Sequence, residues 1–374
     1  MKNKILLVMI MLVSACTSIP KTEQKQTLNT LIQKPELNYK INSLPKKINI
    51  YFYQEEQTSN LPDEVMGFLV NSYAYNSKLF YKPKISIRSV SKDNCPDNTN
   101  EGIFIAFNLD APLDIAFYER CISKLPKSKT LYLHSDNRNL GFPNSFDASK
   151  DIEKKKLIQN IPREVKRIVV IDSEHTLDKD EISNFLKLNG KEIIERRTFN
   201  ESISSQDLFS EILLSDRSKE RKRKLSRRIS KEISGEARIR EDIDAFFLSI
   251  NLDEARNLKP ALDYISEENF KVYFLNNWES KSVYQLAEKD LEGLITADFP
   301  IMIPANIPQY ILENYKTREF AIGYDAFEIV MLQYGAGNLR GFTYKGLSGN
   351  ITFDNKIKRE PIVFKVKSQE LDLL

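Results

Sequence analysis

The residue with the most explicit chemistry in this 374-residue sequence is Cys16. It closes the run Val13-Ser14-Ala15-Cys16, behind an apolar stretch at residues 5–13 and the two cations Lys2 and Lys4. A positive start, a short apolar core and small residues before a cysteine form a processing site, and the cysteine thiol can take a diacylglycerol. The apolar stretch is too short to span a bilayer well. Residues 1–15 are therefore expected to be a lipoprotein signal peptide and Cys16 the lipidated start of the mature chain, since two or three acyl chains suffice for stable anchoring. Thr17 follows the cysteine. Asp at that position usually signals inner-membrane retention in Gram-negative lipoproteins, so the expected location is the periplasmic face of the outer membrane.

The rest of the chain is poor in reactive constellations. Cys95 and Cys121 remain after processing, and in an oxidising compartment they either pair or stay free. There is no CxxC, and His134 and His175 are the only histidines, so no zinc or copper site is expected. No GxSxG elbow or P-loop occurs. Ser43-Leu44-Pro45-Lys46 and Ser89-Val90-Ser91-Lys92 match the S-x-x-K nucleophile motif, but no SDN or KTG accompanies them in a Lys- and Ser-rich chain. Asp242 and Asp244 share a strand face, yet at its N-terminal end, opposite the edge where α/β sites form. Together with Asp253 and Glu254 they read as capping and solvated charges. The glycine-rich loop at residues 334–341 lacks the dinucleotide spacing. Neither catalysis nor a cofactor is expected. A net charge of +3, two of whose positive charges sit in the leader, gives no electrostatic reason to expect nucleic acid as a partner.

The elements that would position any site are those of a parallel α/β sheet. Residues 245–250 are a short apolar run bounded by polar residues, and 252–265 carry helical spacing. Two further strands, 270–275 and 293–296, follow, and strand–helix–strand alternation lays down a parallel sheet one unit at a time. Before them, residues 48–52, 84–90, 102–107, 129–134, 166–171 and 192–199 read as strands, with helices at 61–80, 111–125, 152–163, 179–189 and 205–215. Residues 308–315 and 319–334 read as helices, and 351–366 as a closing β-hairpin. The expected organisation is a two-lobed α/β fold, with parallel sheets flanked by helices. A disordered tether at 16–46 would precede lobe 1 (47–140 and 277–336) and lobe 2 (141–276 and 337–368), with the chain crossing between lobes in the loop at 137–147. Polar residues at strand C-terminal ends are the candidates for a cleft rim: Asn108, Ser135, Asn251, Asn276 and Asp298. Residues 217–231 hold nine cations against Glu220. They read as a solvated helix anchored by Leu225 and Ile229, the alternative being a contact for anionic partners.

Several segments carry a resemblance. Residues 213–228, with Leu213-Leu214-Ser215-Asp216-Arg217, come first, followed by the basic-then-acidic entry at 238–245 and by Ala255-Arg256 with Pro260-Ala261-Leu262. Asp290-Leu291-Glu292-Gly293 with Ala297-Asp298-Phe299-Pro300 comes next. Gly323-Tyr324-Asp325-Ala326, Gly346-Leu347-Ser348-Gly349 and Arg359 close the series. In order and spacing they resemble the C-terminal domain of the penicillin-binding protein activator lipoproteins of the LpoA type. That resemblance implies the type I periplasmic-binding-protein architecture. It also implies a non-catalytic outer-membrane lipoprotein that binds and stimulates a bifunctional, class A penicillin-binding protein and so regulates peptidoglycan synthesis. The best-known members carry a helical-repeat domain before this one, whereas here only the tether precedes residue 48. The alternative is a solute-binding lipoprotein, an amino-acid or peptide receptor of an ABC-type transporter, closing its cleft on a small ligand.

Overall fold

Runs that are apolar on both faces become central strands, because only a position between helical layers hides both sides of a strand from water. Ile103–Asn108, Ala245–Ile250 and Leu294–Asp298 are buried at every residue. The structure, a computed structural model, describes residues 40–53, 60–90, 95, 101–109, 115–135, 140–176, 178–200, 202–233, 238–266, 270–276, 288–303, 317–336, 339–367 and 370–374. Cys16, the tether up to residue 39 and the helix expected at 308–315 lie outside them.

The strands in chain order are β1 Lys47–Tyr53, β2 Lys84–Val90, β3 Ile103–Asn108, β4 Thr130–His134 and β5 Asn144–Asp147, then β6 Arg167–Ser173, β7 Glu192–Phe199, β8 Ala245–Ile250, β9 Lys271–Asn276 and β10 Leu294–Asp298. Five short strands end the chain: β11 Phe342–Lys345, β12 Asn350–Phe353, β13 Ile357–Glu360, β14 Ile362–Lys367 and β15 Glu370–Leu373. Two sheets result, ordered β11-β12-β13-β5-β4-β3-β1-β2 and β15-β14-β10-β9-β8-β6-β7. β1 to β5 pair in parallel in the first sheet and β6 to β10 in the second. The antiparallel pairs are all made by the closing strands. Helices α1 Asp63–Leu79, α2 Ile115–Ile122, α3 Asp151–Gln159, α4 Lys179–Leu188, α5 Ser205–Ile212, α6 Ser215–Ile229, α7 Leu252–Ile265 and α8 Arg318–Gly335 connect or flank them. This is the two-lobed, periplasmic-binding-protein-like α/β fold expected from the sequence.

The lobe boundaries differ from the expectation. β5 lies in residues assigned to lobe 2, but it pairs with β4 in the first sheet. β10 lies in residues assigned to lobe 1, but it pairs with β9 in the second. Strands β11 to β13 also belong to the first sheet, so the glycine-rich loop is a turn within lobe 1 and not a crossing. The closing hairpin is split: β12 and β13 form a hairpin in lobe 1, then Pro361 intervenes and β14 joins lobe 2. Proline lacks the N–H a ladder needs, so it marks where one sheet ends and the next begins. The chain therefore crosses between lobes after Asp147, between Ile303 and Arg318, and at Pro361.

Cys95 and Cys121 are bonded, with Cα atoms 5.3 Å apart, which ties the segment after β2 to α2. The largest apolar cluster runs without interruption from one lobe to the other through Phe299, Ile301, Met302 and Phe320. Where helices α1 and α8 cross, two glycines make room: a Cβ on Gly323 would lie 1.7 Å from the Glu64 carbonyl oxygen, and one on Gly67 2.0 Å from that of Phe320.

Candidate functional site

Parallel strands from both lobes point their C-terminal ends at a common cavity of about 530 Å³. Ser135 and Ala148 reach it from the first sheet, and Ser173, Asn251, Leu275 and Asp298 from the second. This is where α/β folds place ligand sites, because loops leaving the strand ends diverge there.

The rim candidates separate on inspection. Ser135 and Asn251 line the cavity, but Asn251 is occupied. Its Oδ1 accepts from the Glu254 backbone at 2.8 Å, and its own N–H donates to Glu254 Oε2 at 2.9 Å, a reciprocal cap on α7. Asp298 also lines the cavity. Asn108 does not: it is buried at the end of β3, donating to Tyr132 Oη at 2.9 Å, while its Oδ1 finds no hydrogen-bond partner among the described residues. Asn276 ends β9, and its side chain lies outside the described residues. The carboxylate pairs act as caps and surface ion pairs, as the sequence indicated. Asp244 accepts from the backbone N–H groups of Lys166 and Arg167, both at 2.8 Å, and pairs with the Arg167 guanidinium. That bond and those N–H groups hold its carboxyl at about 2.

The charges at the cleft floor are matched to one another across the lobe crossings. Arg318 opens α8 in lobe 1 and grips Asp298, the last residue of β10 in lobe 2, with Nε–Oδ1 at 2.8 Å and Nη2–Oδ2 at 2.7 Å. Arg359, on β13 two residues before the Pro361 crossing, donates to Glu153 Oε1 at 2.6 Å and to the carbonyls of Ser149 and Ser348, both at 3.2 Å. Its guanidinium sits 4.2 Å from the Phe299 ring centroid, a cation–π contact. Burial pushes the Glu153 carboxyl up, with Arg359 pulling against it. One arginine thus contacts Ser149 and Glu153 just after the first crossing and Phe299 just before the second, from a strand that ends at the third.

A second buried carboxylate supports this hinge from behind. Asp325 of α8 receives the Leu347 N–H at 3.0 Å and the Ser348 N–H and Oγ–H at 2.7 and 2.6 Å. The same turn reaches across the lobes, the Leu347 carbonyl accepting from the Ile301 N–H at 3.0 Å. Gly346 must be glycine, since a Cβ there would lie 2.5 Å from Asp325 Oδ2. Burial raises Asp325 to about 7 despite its three donors. At the cleft wall Lys154 is closed off in the same way, with Asp151 at 3.0 Å, Asp178 at 2.5 Å and Glu181 at 2.7 Å. Burial works against its charge, but these three carboxylates hold its pKa above the ordinary value.

The sequence reading missed Arg318, Glu153 and Lys154. In a chain with 55 lysines and arginines no single cation stands out, and the partners are brought together only by the fold. Asp298, Asp325, Gly346, Ser348 and Arg359 were found, as parts of the family-like segments. In the structure Asp298 and Arg359 pair with residues of the opposite lobe, and Asp325 holds the turn at Gly346 and Ser348 within lobe 1. Ser173 Oγ donates to Glu254 at 2.8 Å, so among the described lining residues it is mainly Ser135, Lys150, His175 and Glu319 that remain to meet a ligand. Among the described residues no group of three acidic, histidine or cysteine side chains could hold a metal ion.

The comparisons with known proteins agree with this fold. The model of the LppC putative lipoprotein family matches residues 185–363, a segment that contains Asp298, Arg318, Asp325 and Arg359. A structure of full-length LpoA from Haemophilus influenzae superposes with a TM-score of 0.55 at 13% identity, covering 96% of this chain and 62% of that one. The C-domain of the same organism's LpoA, described as a regulator of PBP1A, superposes with a TM-score of 0.55 at 12% identity, covering 88% of this chain and 99% of that domain. The chain thus spans about six-tenths of the length of the full-length LpoA structures it matches. At these identities the likeness establishes the fold. A search of curated proteins finds no match.

Proposed function

We propose that this protein is a non-catalytic lipoprotein regulator of a class A penicillin-binding protein, anchored through Cys16 to the outer membrane and acting on peptidoglycan synthesis by protein–protein contact. The family-model match over residues 185–363 supports the reading at the level of sequence. The observation that carries it in the structure is the self-pairing of the cleft. A receptor for amino acids or peptides must offer unpaired donors and acceptors to the ligand's termini. Here two of the three described Lys and Arg side chains that line the cavity, Arg318 and Lys154, are spent on Asp298, Asp151, Asp178 and Glu181, and Lys150 is the third. The pairs Arg318–Asp298 and Arg359–Glu153 also join one lobe to the other, which supports a two-lobed body that serves as a docking platform. Interfaces of the size needed for stable association are built from surface shape and leave no linear motif.

The test is direct binding of the lipid-free protein to the host's purified class A synthases. Saturable binding supports the reading, and absence of binding to every such synthase contradicts it. The cavity of about 530 Å³ favours a second reading, a solute receptor. That reading is tested by thermal shift with amino acids, short peptides and muropeptides. The regulator reading expects no stabilisation by any of them, because mass-action stabilisation requires a ligand that binds the folded state.

A further inference from the structure

Helix α6 departs from the expectation of an anchored, solvated helix. Leu225 and Ile229, its expected anchors, are 45% and 55% exposed, and only Ser215 of the helix is buried. The helix leaves α5 abruptly through Leu214, which sits in the left-handed region at φ 55°, and then stands clear of the lobe. Arg217, Arg221, Lys224 and Arg228 follow one another at i, i+4, i+7 and i+11, so they form one stripe about 16 Å long. With Glu220 and Leu225 they line a shallow open groove. Only two carboxylates of the helix offset this charge, Glu220 with Lys224 and Asp216 with Lys219, both at exposed positions. Like charges spaced four apart destabilise a helix, and its apolar residues gain nothing in water. Both costs are relieved by one event, contact with an acidic surface that has an apolar edge.

The position of α6 indicates which surface. The tether enters at the end of lobe 1 remote from the cleft. There the Lys40 N–H donates to the Gly335 carbonyl at 3.0 Å and Ser43 Oγ to that of Tyr334 at 2.6 Å, at the C-terminal end of a helix that begins at the cleft. Helix α6 starts at the opposite pole. Its approach, Leu213, accepts from the Arg240 N–H at 3.1 Å, just ahead of the N-terminal end of β8 and away from the cavity. The basic stripe is therefore carried on the lobe opposite the point where the segment at residues 40–43 joins the fold. We propose that α6 is a docking surface for an acidic patch on a protein partner that meets this molecule away from its own membrane. Taking that partner to be the synthase rests on the regulator reading above. Arg217, Arg221, Lys224 and Arg228 steer and hold the acidic patch, and Leu225 and Ile229, about 70° and 110° round the helix from that stripe, supply an apolar flank.

The test uses the lipid-free protein, a variant carrying Arg217→Gln, Arg221→Gln, Lys224→Gln and Arg228→Gln, and a second carrying Leu225→Ser and Ile229→Ser. All these side chains are exposed, so both variants should melt with the wild type, which is checked first. Wild-type binding to the purified class A synthase should weaken steeply between about 50 and 300 mM salt. The charge variant should bind about tenfold or more weakly with a flattened salt dependence, and the apolar variant severalfold more weakly. If the charge variant binds and stimulates the synthase like the wild type, the docking surface is overturned while the regulator reading stands. If the wild type binds no synthase, both fall. Vesicles of phosphatidylglycerol and of phosphatidylcholine form the last arm. Charge-dependent capture by the anionic vesicles, with synthase binding unchanged in the variants, would reassign α6 to lipid headgroups and overturn the proposal.

Discussion

Arg359 and Glu153 stand 206 residues apart in the chain and meet at 2.6 Å, the guanidinium side chain fully buried. The pair joins lobe 1 to lobe 2 beside the first crossing, and the same guanidinium meets Phe299 ahead of the second. Breaking a buried pair by removing one partner costs far more than the pair contributes, because the other charge is left stranded. Arg359→Met, which keeps the stem, should lower stability by about 3 kcal/mol or more. Glu153→Gln, which strands the buried guanidinium with a neutral acceptor in place of its counter-charge, should be destabilising as well. Urea unfolding measures both, and a loss below about 1 kcal/mol for Arg359→Met would show that the clasp does not hold the lobes.

Asp325 makes stability depend on pH in an uncommon direction. Its folded value of about 7 lies above the ordinary 3.8, so between those values the folded state binds the proton and the unfolded state releases it. Stability then falls as pH rises from about 4 to about 7, and levels off above. Glu153, also pushed up by burial, adds a slope of the same sign. Asp325→Asn should flatten the decline, by up to about 4 kcal/mol across the window. Chemical denaturation at pH 4.5, 6 and 7.5 reads this, and equal slopes in both proteins would refute it.

The crossing of α1 and α8 has no room for a methyl group. Gly323→Ala would set a Cβ against the Glu64 backbone, so the helices must separate, at about 3 kcal/mol. Gly190→Ala is the control. Nothing lies within 4 Å of its added Cβ, and only its φ of 72° penalises the change, by about 1 kcal/mol. Comparable losses in the two variants would contradict the close-packed crossing.

How far the sequence could be read follows from the range of each interaction. Ala245–Ile250 was legible because continuous apolarity is a local property. Sheet membership is not local. Asn144–Asp147 has one large apolar residue, Phe146, and is a strand only because β4 and β13 lie beside it. Leu294–Asp298 reads as a strand anywhere, but whether it belongs to lobe 1 or lobe 2 is decided by β9 and β14. The hinge was half legible. Asp298 and Arg359 were noticed within family-like segments, but Arg318 and Glu153 carry no local signal of the partners they meet. The basic helix is solvated as its composition indicated, but Leu225 and Ile229, read as its apolar anchors, are left in solvent.

The anchor has its own test. Cys16→Ser should abolish acylation and move the protein from the membrane fraction to the soluble periplasm. Unchanged fractionation would remove the lipoprotein reading, and with it the argument from the position of the tether.

The central claim is regulation by contact, and its most direct measurement is the rate of glycan-strand synthesis by the host's class A penicillin-binding proteins, with and without the lipid-free protein. The account predicts a saturable rate increase that tracks complex formation and is indifferent to amino acids or peptides. An unchanged rate at concentrations where binding is saturated would contradict it.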